Sequence, residues 1–212
     1  WQVTVGAGDA TPALVGDRLY VFTRQGDQEV TLCLNAADGK ELWSDTYAAQ
    51  VATGPAGQHA GPRSSPAVAD GRVVTLGIGG VLSCLDAATG KLIWRQDPFP
   101  KVTPKFYTAM SPLVVDGLCI AHLGGAGHGA LMALDLVTGE IRWQWTAEGP
   151  DYASPVLTTV EGTRQLVTLT EKSVAGIAAA DGRLLWQLPF VPQGRAYNSA
   201  TPVVDGATVI FS

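Results

Sequence analysis

Apolar residues along this chain fall in short runs, rich in β-branched side chains and bounded by Gly or Pro, and no stretch sustains a 3.6-residue period. That pattern predicts strands throughout. "RVVTLGI" (72–78), "VLSCLDA" (81–87) and "KLIWRQ" (91–96) are three such runs in succession, separated by turn formers. The succession returns. The decapeptide "LDAATGKLIW" at 85–94 has ungapped counterparts in "LNAADGKELW" (34–43), "LDLVTGEIRW" (134–143) and "IAAADGRLLW" (177–186). A Ser/Thr-Pro pair opens an apolar run ahead of each copy, at 11–12, 65–66, 111–112 and 154–155, and a fifth pair stands at 201–202. Signatures that keep their order in this way mark a repeated supersecondary unit rather than a single active site.

Each unit reads as four antiparallel strands. The first starts at the Pro, where a missing N–H is tolerated, and ends at a Gly-containing hairpin turn. The decapeptide is the turn between the third and fourth strands. Asn35, Asp86 and Asp135 stand where a side chain accepts backbone N–H bonds at the turn entrance, and Gly39, Gly90, Gly139 and Gly182 where the exit calls for a left-handed residue. Ala178 replaces the acceptor in the fourth copy, so that turn is expected to be held less well. The closing Trp43, Trp94, Trp143 and Trp186 are expected to dock between neighbouring units, where an indole buries ~150–250 Å² and finds an acceptor for its N–H. The predicted fold is all-β: a β-propeller of four-stranded antiparallel blades at about 11–45, 64–96, 110–145 and 153–188, with a partial blade over 200–212. Trp1 is expected to belong to an earlier blade, so 1–212 reads as one incomplete propeller domain, an arc with partial blades at each end. A solenoid is the alternative architecture.

Composition narrows the functions. With 46% apolar and 16% charged residues the chain is not disordered, and a net charge of −5 without a Lys/Arg run argues against nucleic-acid binding. No stretch approaches ~20 consecutive apolar residues, so no transmembrane segment is expected. Cys33, Cys84 and Cys119 read as small buried strand residues, with a Cys33–Cys84 disulfide left open. The glycine-rich "GGAGHGA" (124–130) lacks the Lys-Ser/Thr of a phosphate loop and reads as a hairpin, with His122 on a strand and His128 in the loop. Three histidines at no ligand spacing make no metal site.

The "LDAATGKLIW" turn and the "SP" strand before it resemble the repeat of the PQQ-type β-propellers, also called the tryptophan-docking repeat. That resemblance covers essentially the whole chain. It implies one of two branches: quinoprotein alcohol dehydrogenases, or non-catalytic proteins such as BamB, which works in bacterial outer-membrane protein assembly. The dehydrogenase branch implies a calcium-bound quinone, a catalytic Asp and adjacent cysteines, and this chain has no adjacent Cys pair. The expectation is therefore a non-catalytic, BamB-like scaffold of the periplasm or cell envelope, with no cofactor and no catalytic residue. Its partner would be a protein or peptide, at the loops or edge strands, or else a small molecule or glycan. A fragment of a PQQ-dependent alcohol or sugar dehydrogenase, with PQQ and calcium, is the alternative. The linkers between each Trp and the next Ser/Thr-Pro strand are expected to form the axial face. There Asp9, His59, Arg63, Tyr107, Asp151, Tyr152, Tyr197 and Asn198 either cap strand ends or form a binding rim. Tyr107 and Tyr197, each five residues before a Pro, are expected at equivalent places.

Overall fold

The computed structural model describes residues 1–194 and 196–212. Eighteen strands and one short 3-10 turn make up its regular structure, and 3% of it is helical. The first sheet runs β1 (Ala13–Val15), β2 (Arg18–Gln25), β3 (Gln28–Asn35) and β4 (Glu41–Ala48) in sequence order. The second repeats this with β5 (Ala67–Ala69), β6 (Arg72–Leu76), β7 (Leu82–Asp86) and β8 (Leu92–Gln96). β9 (Leu113–Val115), β10 (Leu118–Gly125), β11 (His128–Asp135) and β12 (Ile141–Trp145) form the third. The fourth consists of β13 (Val156–Val160), β14 (Thr163–Leu169), β15 (Ser173–Ala178) and β16 (Leu184–Pro189). β17 (Val203–Asp205) pairs with β18 (Thr208–Ile210) as a two-stranded fifth sheet. All pairings are antiparallel, and the propeller is open rather than closed.

The middle strands of each complete sheet are buried because neighbouring sheets cover them, and on the other face of the first sheet Val5 packs against Val21, Val30, Leu32 and Leu34. Tyr20, Cys33 and Trp43 of the first sheet pack on Val73, Leu85 and Ala87 of the second. Val74, Leu82 and Trp94 of the second meet Cys119, Leu123 and Met132 of the third. Ile120, Leu131 and Trp143 of the third meet Leu166, Ala175 and Ile177 of the fourth.

One bulge recurs just before each decapeptide turn, at Cys33/Leu34, Cys84/Leu85, Ala133/Leu134 and Gly176/Ile177. It sets the closing tryptophan opposite a small residue: Cys33 faces Trp43, Cys84 faces Trp94, Ala133 faces Trp143 and Gly176 faces Trp186. Two of the three cysteines thus fill a position that needs little volume, and all three are free and buried.

Three of the seams share one geometry. Trp43 Nε1 donates to Ala87 O at 3.2 Å, Trp94 Nε1 to Leu136 O at 3.0 Å and Trp143 Nε1 to Ala179 O at 3.1 Å. Each ring lies flush on the turn glycine of the following sheet. A Cβ on Gly90 would stand 2.6 Å from Trp43, and one on Gly139 2.8 Å from Trp94. These glycines also have φ of 73° and 76°. The position therefore demands Gly twice, for conformation and for clearance. Trp1 repeats the contact on the first sheet, donating to Ala36 O at 3.0 Å beside Gly39, although its own ring is 60% exposed.

Trp186 departs from the expected seam docking. Its Nε1 donates within its own sheet, to Gln165 Oε1 at 2.7 Å, and its ring lies over Gly176. His128 is also displaced from the expected loop: it opens β11, with its ring edge-on to Phe99.

The turn acceptors behave as the residue types require. Asn35 accepts from Ala37 N, Asp86 from Ala88 N and Thr89 N, and Asp135 from Val137 N and Thr138 N. In the fourth copy the same turn has no side-chain acceptor at its entrance: backbone bonds from Gly182 N to Ala178 O and from Ala178 N to Arg183 O close it, and Asp181 Oδ1 accepts from Arg183 N.

At the inner end the Ser/Thr-Pro pairs form a relay between sheets. Thr11 N donates to Ser65 Oγ at 3.1 Å, Ser65 N to Ser111 Oγ at 3.0 Å, Ser111 N to Ser154 Oγ at 2.9 Å, and Ser154 N to Thr201 Oγ1 at 3.3 Å. Because Pro lacks an N–H, the residue before it supplies the donor at each step.

Candidate functional site

The relay brings the linkers of successive sheets to one mouth. Residues 49–65 enter it through a 3-10 turn at Gly54–His59, with Pro55 in its first turn. Residues 99–110, 148–153 and 190–199 approach from the other sheets. Arg63 ties two of these linkers together. Its guanidinium donates to Phe106 O on one side, and to His59 O at 2.9 Å and Ala56 O at 3.3 Å on the other. Such a fork fixes three carbonyls with one side chain. His59 Nδ1 lies 3.0 Å from Asp9 Oδ2, both side chains being largely solvent-exposed, so this pair adds little stability and chiefly orients the ring.

An aromatic triad forms the wall. Tyr197 is edge-on to Phe106, with centroids 5.3 Å apart, and to Tyr152 at 5.6 Å. Phe106 and Tyr152 are tilted at 6.3 Å. The backbone N–H of Phe106 donates to the Tyr152 hydroxyl at 3.0 Å, which locks the third linker to the fourth. Burial raises the Tyr152 pKa above that of a free phenol, so its hydroxyl keeps its proton at neutral pH. Tyr197 is 37% exposed.

Two cavities share this wall. The larger, about 350 Å³, is lined by Pro55, His59, Arg63, Phe106, Tyr152 and Tyr197. The smaller, about 240 Å³, lies behind Tyr152 and Tyr197 and includes Lys105, Asp151 and Glu171. Burial raises the Asp151 pKa, and the nearby Glu171 charge raises it further, against the hydrogen bond from Asn198 N. Glu171 is also partly desolvated. The amides of Gly127 and Gly149 and the Lys172 ammonium outweigh that and hold its carboxyl below the usual range.

Of the eight rim residues expected from sequence, Asp9, His59, Arg63, Asp151, Tyr152 and Tyr197 meet at this mouth. Two face elsewhere. Tyr107 is buried, with φ of 66°, and its hydroxyl accepts from Thr53 N at 3.1 Å, bracing the 3-10 turn from below. Its positive φ turns the side chain inward, so Tyr107 and Tyr197 are not equivalent despite equal spacing from Pro. Asn198 is 2% exposed, and its amide donates to Thr170 O at 2.8 Å and Phe190 O at 3.1 Å as a strut. Sequence reasoning missed Phe106 and Glu171. Phe106 stands next to Tyr107 in "KFYTAM", and only the backbone twist decides which ring faces the mouth.

Repeated four-stranded sheets joined by docked indoles, with a mouth built from their linkers, define a PQQ-type β-propeller. The chain belongs to the family described as outer membrane protein assembly factor BamB, which matches residues 1–60 and 56–212. It is 34% identical over 155 residues to BamB of Yersinia pestis, covering 68% of this chain and 35% of that protein. It is 30% identical over 152 residues to quinohemoprotein alcohol dehydrogenase of Comamonas testosteroni, covering 69% of this chain and 21% of that one. The crystal structure of the latter enzyme superposes with a TM-score of 0.70 at 21% identity, over 93% of this chain and 37% of that chain. BamB from Moraxella catarrhalis superposes with a TM-score of 0.60 at 17% identity, over 96% of this chain and 52% of that one. The chain thus spans about half or less of each of these relatives.

The quinone expected of the dehydrogenase branch can be tested against the residues present. Among the described residues no three His, Cys, Asp or Glu side chains gather to hold a metal ion. Asn198 donates its amide N–H groups to Thr170 O and Phe190 O. Cys33, Cys84 and Cys119 are buried in strands of three different sheets. The chain covers 21% of the Comamonas testosteroni enzyme, and among its described residues no such metal cluster is present.

Proposed function

We propose that this chain acts as a binding scaffold of the bacterial cell envelope, in the periplasm, serving outer-membrane protein assembly through contact with a protein partner. The family match supports the setting. The observation that carries the reading is the mouth itself: three aromatic rings held by hydrogen-bonded linkers from different sheets, half open to solvent. Rigid aromatic surface of this kind supplies contact area at low cost in side-chain entropy. Arg63, Tyr152 and the Tyr107 brace act in this reading by keeping the linkers in place rather than by chemistry.

The test uses the intact protein in its own host, with a photo-crosslinking residue at position 197 and another on the β2–β3 hairpin at Gly26. A crosslink from 197, absent from 26, to a component of outer-membrane protein assembly is the expected result. Equal labelling from both positions, or none from 197, overturns the reading. The likeness to quinohemoprotein alcohol dehydrogenase supports a second reading, part of an alcohol-oxidising quinoprotein. Dye-linked alcohol oxidation on addition of PQQ and Ca²⁺ would establish it against the scaffold.

A further inference from the structure

The smaller cavity differs in chemistry from the mouth beside it. Its walls are apolar or aromatic, from Pro150, Tyr152 and Tyr197, yet two carboxylates face it. Asp151 is only 9% exposed. One of its oxygens accepts the Asn198 N–H; the other receives no hydrogen bond among the described residues. That second oxygen is left to accept a donor from within the cavity that Asp151 lines. Glu171 adds a second negative charge, with Oε1 already held by Gly127 N at 2.9 Å and Gly149 N at 3.2 Å. Among the described lining residues the cation is Lys105, whose ammonium lies 5.5 Å from the Phe106 centroid, on the aromatic wall. The chain's own ammonium therefore already rests against one ring of this triad.

From this we infer that the smaller cavity binds an alkylammonium group, with Asp151 as its hydrogen-bonding counter-ion and the Tyr152 and Tyr197 rings around its methylene stem. A cation satisfies the open Asp151 oxygen and gains from the ring faces. Glu171 is already paired with Lys172 at 3.4 Å, so an anion would meet chiefly the Asp151 carboxylate, and a neutral guest would bring Asp151 no counter-charge. The volume of about 240 Å³ equals roughly eight waters of ~30 Å³ each, enough for a short stem and its residual hydration. This inference deepens the scaffold reading and rests on the mouth being the binding face. The same group is presented by a free amine or by a lysine side chain of a protein partner.

The experiment titrates the chain with n-butylammonium, with an N-acetyl-lysine amide and with n-butanol, following the Tyr197 ring resonances. Saturable shifts with n-butylammonium and none with n-butanol are expected. Binding of the lysine amide as well marks a partner's side chain as the source; its failure marks a free amine. D151N keeps an oxygen for the Asn198 N–H and should weaken n-butylammonium binding at least 10-fold. K105A removes a competing cation and should tighten it several-fold. Y197L serves as the second variant if D151N does not fold, and should also weaken binding. Equal binding of n-butanol, or unchanged affinity in D151N, overturns the inference. Absence of ammonium binding while the crosslink from position 197 persists sinks the cation site and leaves the scaffold reading standing.

Discussion

Trp94 and Trp186 close the same decapeptide and end in different places. Trp94 is 7% exposed, hydrogen-bonded to the next sheet at Leu136 O, with Gly139 beneath its ring. Trp186 stays half-buried on its own sheet, with its N–H on Gln165. The difference teaches that the tryptophan does not dock by itself. A seam needs two halves: an indole from one sheet, and a glycine turn with a free carbonyl from the next. At Trp186 a glutamine side chain of the same sheet supplies the acceptor, and the ring lies over Gly176.

The comparison can be broken most directly at Trp94. Trp94→Ala should cost ~3–5 kcal/mol in urea unfolding, because it empties a closed seam; a loss under ~1 kcal/mol would mean that the indole does not hold the sheets together. Gly139→Ala comes next, at roughly 1–3 kcal/mol, since the added methyl meets Trp94 and the backbone has positive φ. The same loss from Gly206→Ala, where φ is 56° but nothing lies within 4 Å, would assign the whole effect to backbone conformation. Trp186→Ala should cost only about 1 kcal/mol, as a partly exposed ring loses less apolar burial; parity with Trp94→Ala would erase the distinction.

A smaller effect sharpens the third seam. His122 is 1% exposed, with Nε2 3.1 Å from Glu148 O and Nδ1 without a partner among the described residues. Burial depresses its pKa to about 4, outweighing the Glu148 carbonyl and the Glu148 and Glu171 charges that favour the cation. The unfolded chain takes up this proton near 6.5 and the folded chain only near 4. Stability is therefore full above pH 6.5 and declines as pH falls towards 4. His122→Gln should flatten that part of the urea-midpoint profile, and an unchanged slope would show that the ring titrates normally.

How legible these features were in the sequence follows from their range. The turn is local: Asp86 reaches two amides within three residues, and Gly90 marks its exit, so decapeptide and strand order could be read directly. The docking partner of a tryptophan lies about 40 residues on. Only repetition points to it, and at Trp186 repetition points to a seam where the structure shows Gln165 of the same sheet instead. The mouth depends on backbone twist. Nothing in "KFYTAM" says that Tyr107 takes φ of 66° and turns inward while Phe106 turns outward. The Ser/Thr of each Ser/Thr-Pro pair was noticed as a marker, but its hydroxyl acts across a gap of 43 to 54 residues that no local pattern encodes.

That hydroxyl relay gives the hub a direction. Every rung has the same grammar: an amide reaching forward, an oxygen waiting on the following sheet, and a proline that keeps the next position from competing. Because the rungs are interchangeable, an additional sheet carrying its own Ser-Pro or Thr-Pro start can join the series without any neighbour being redesigned.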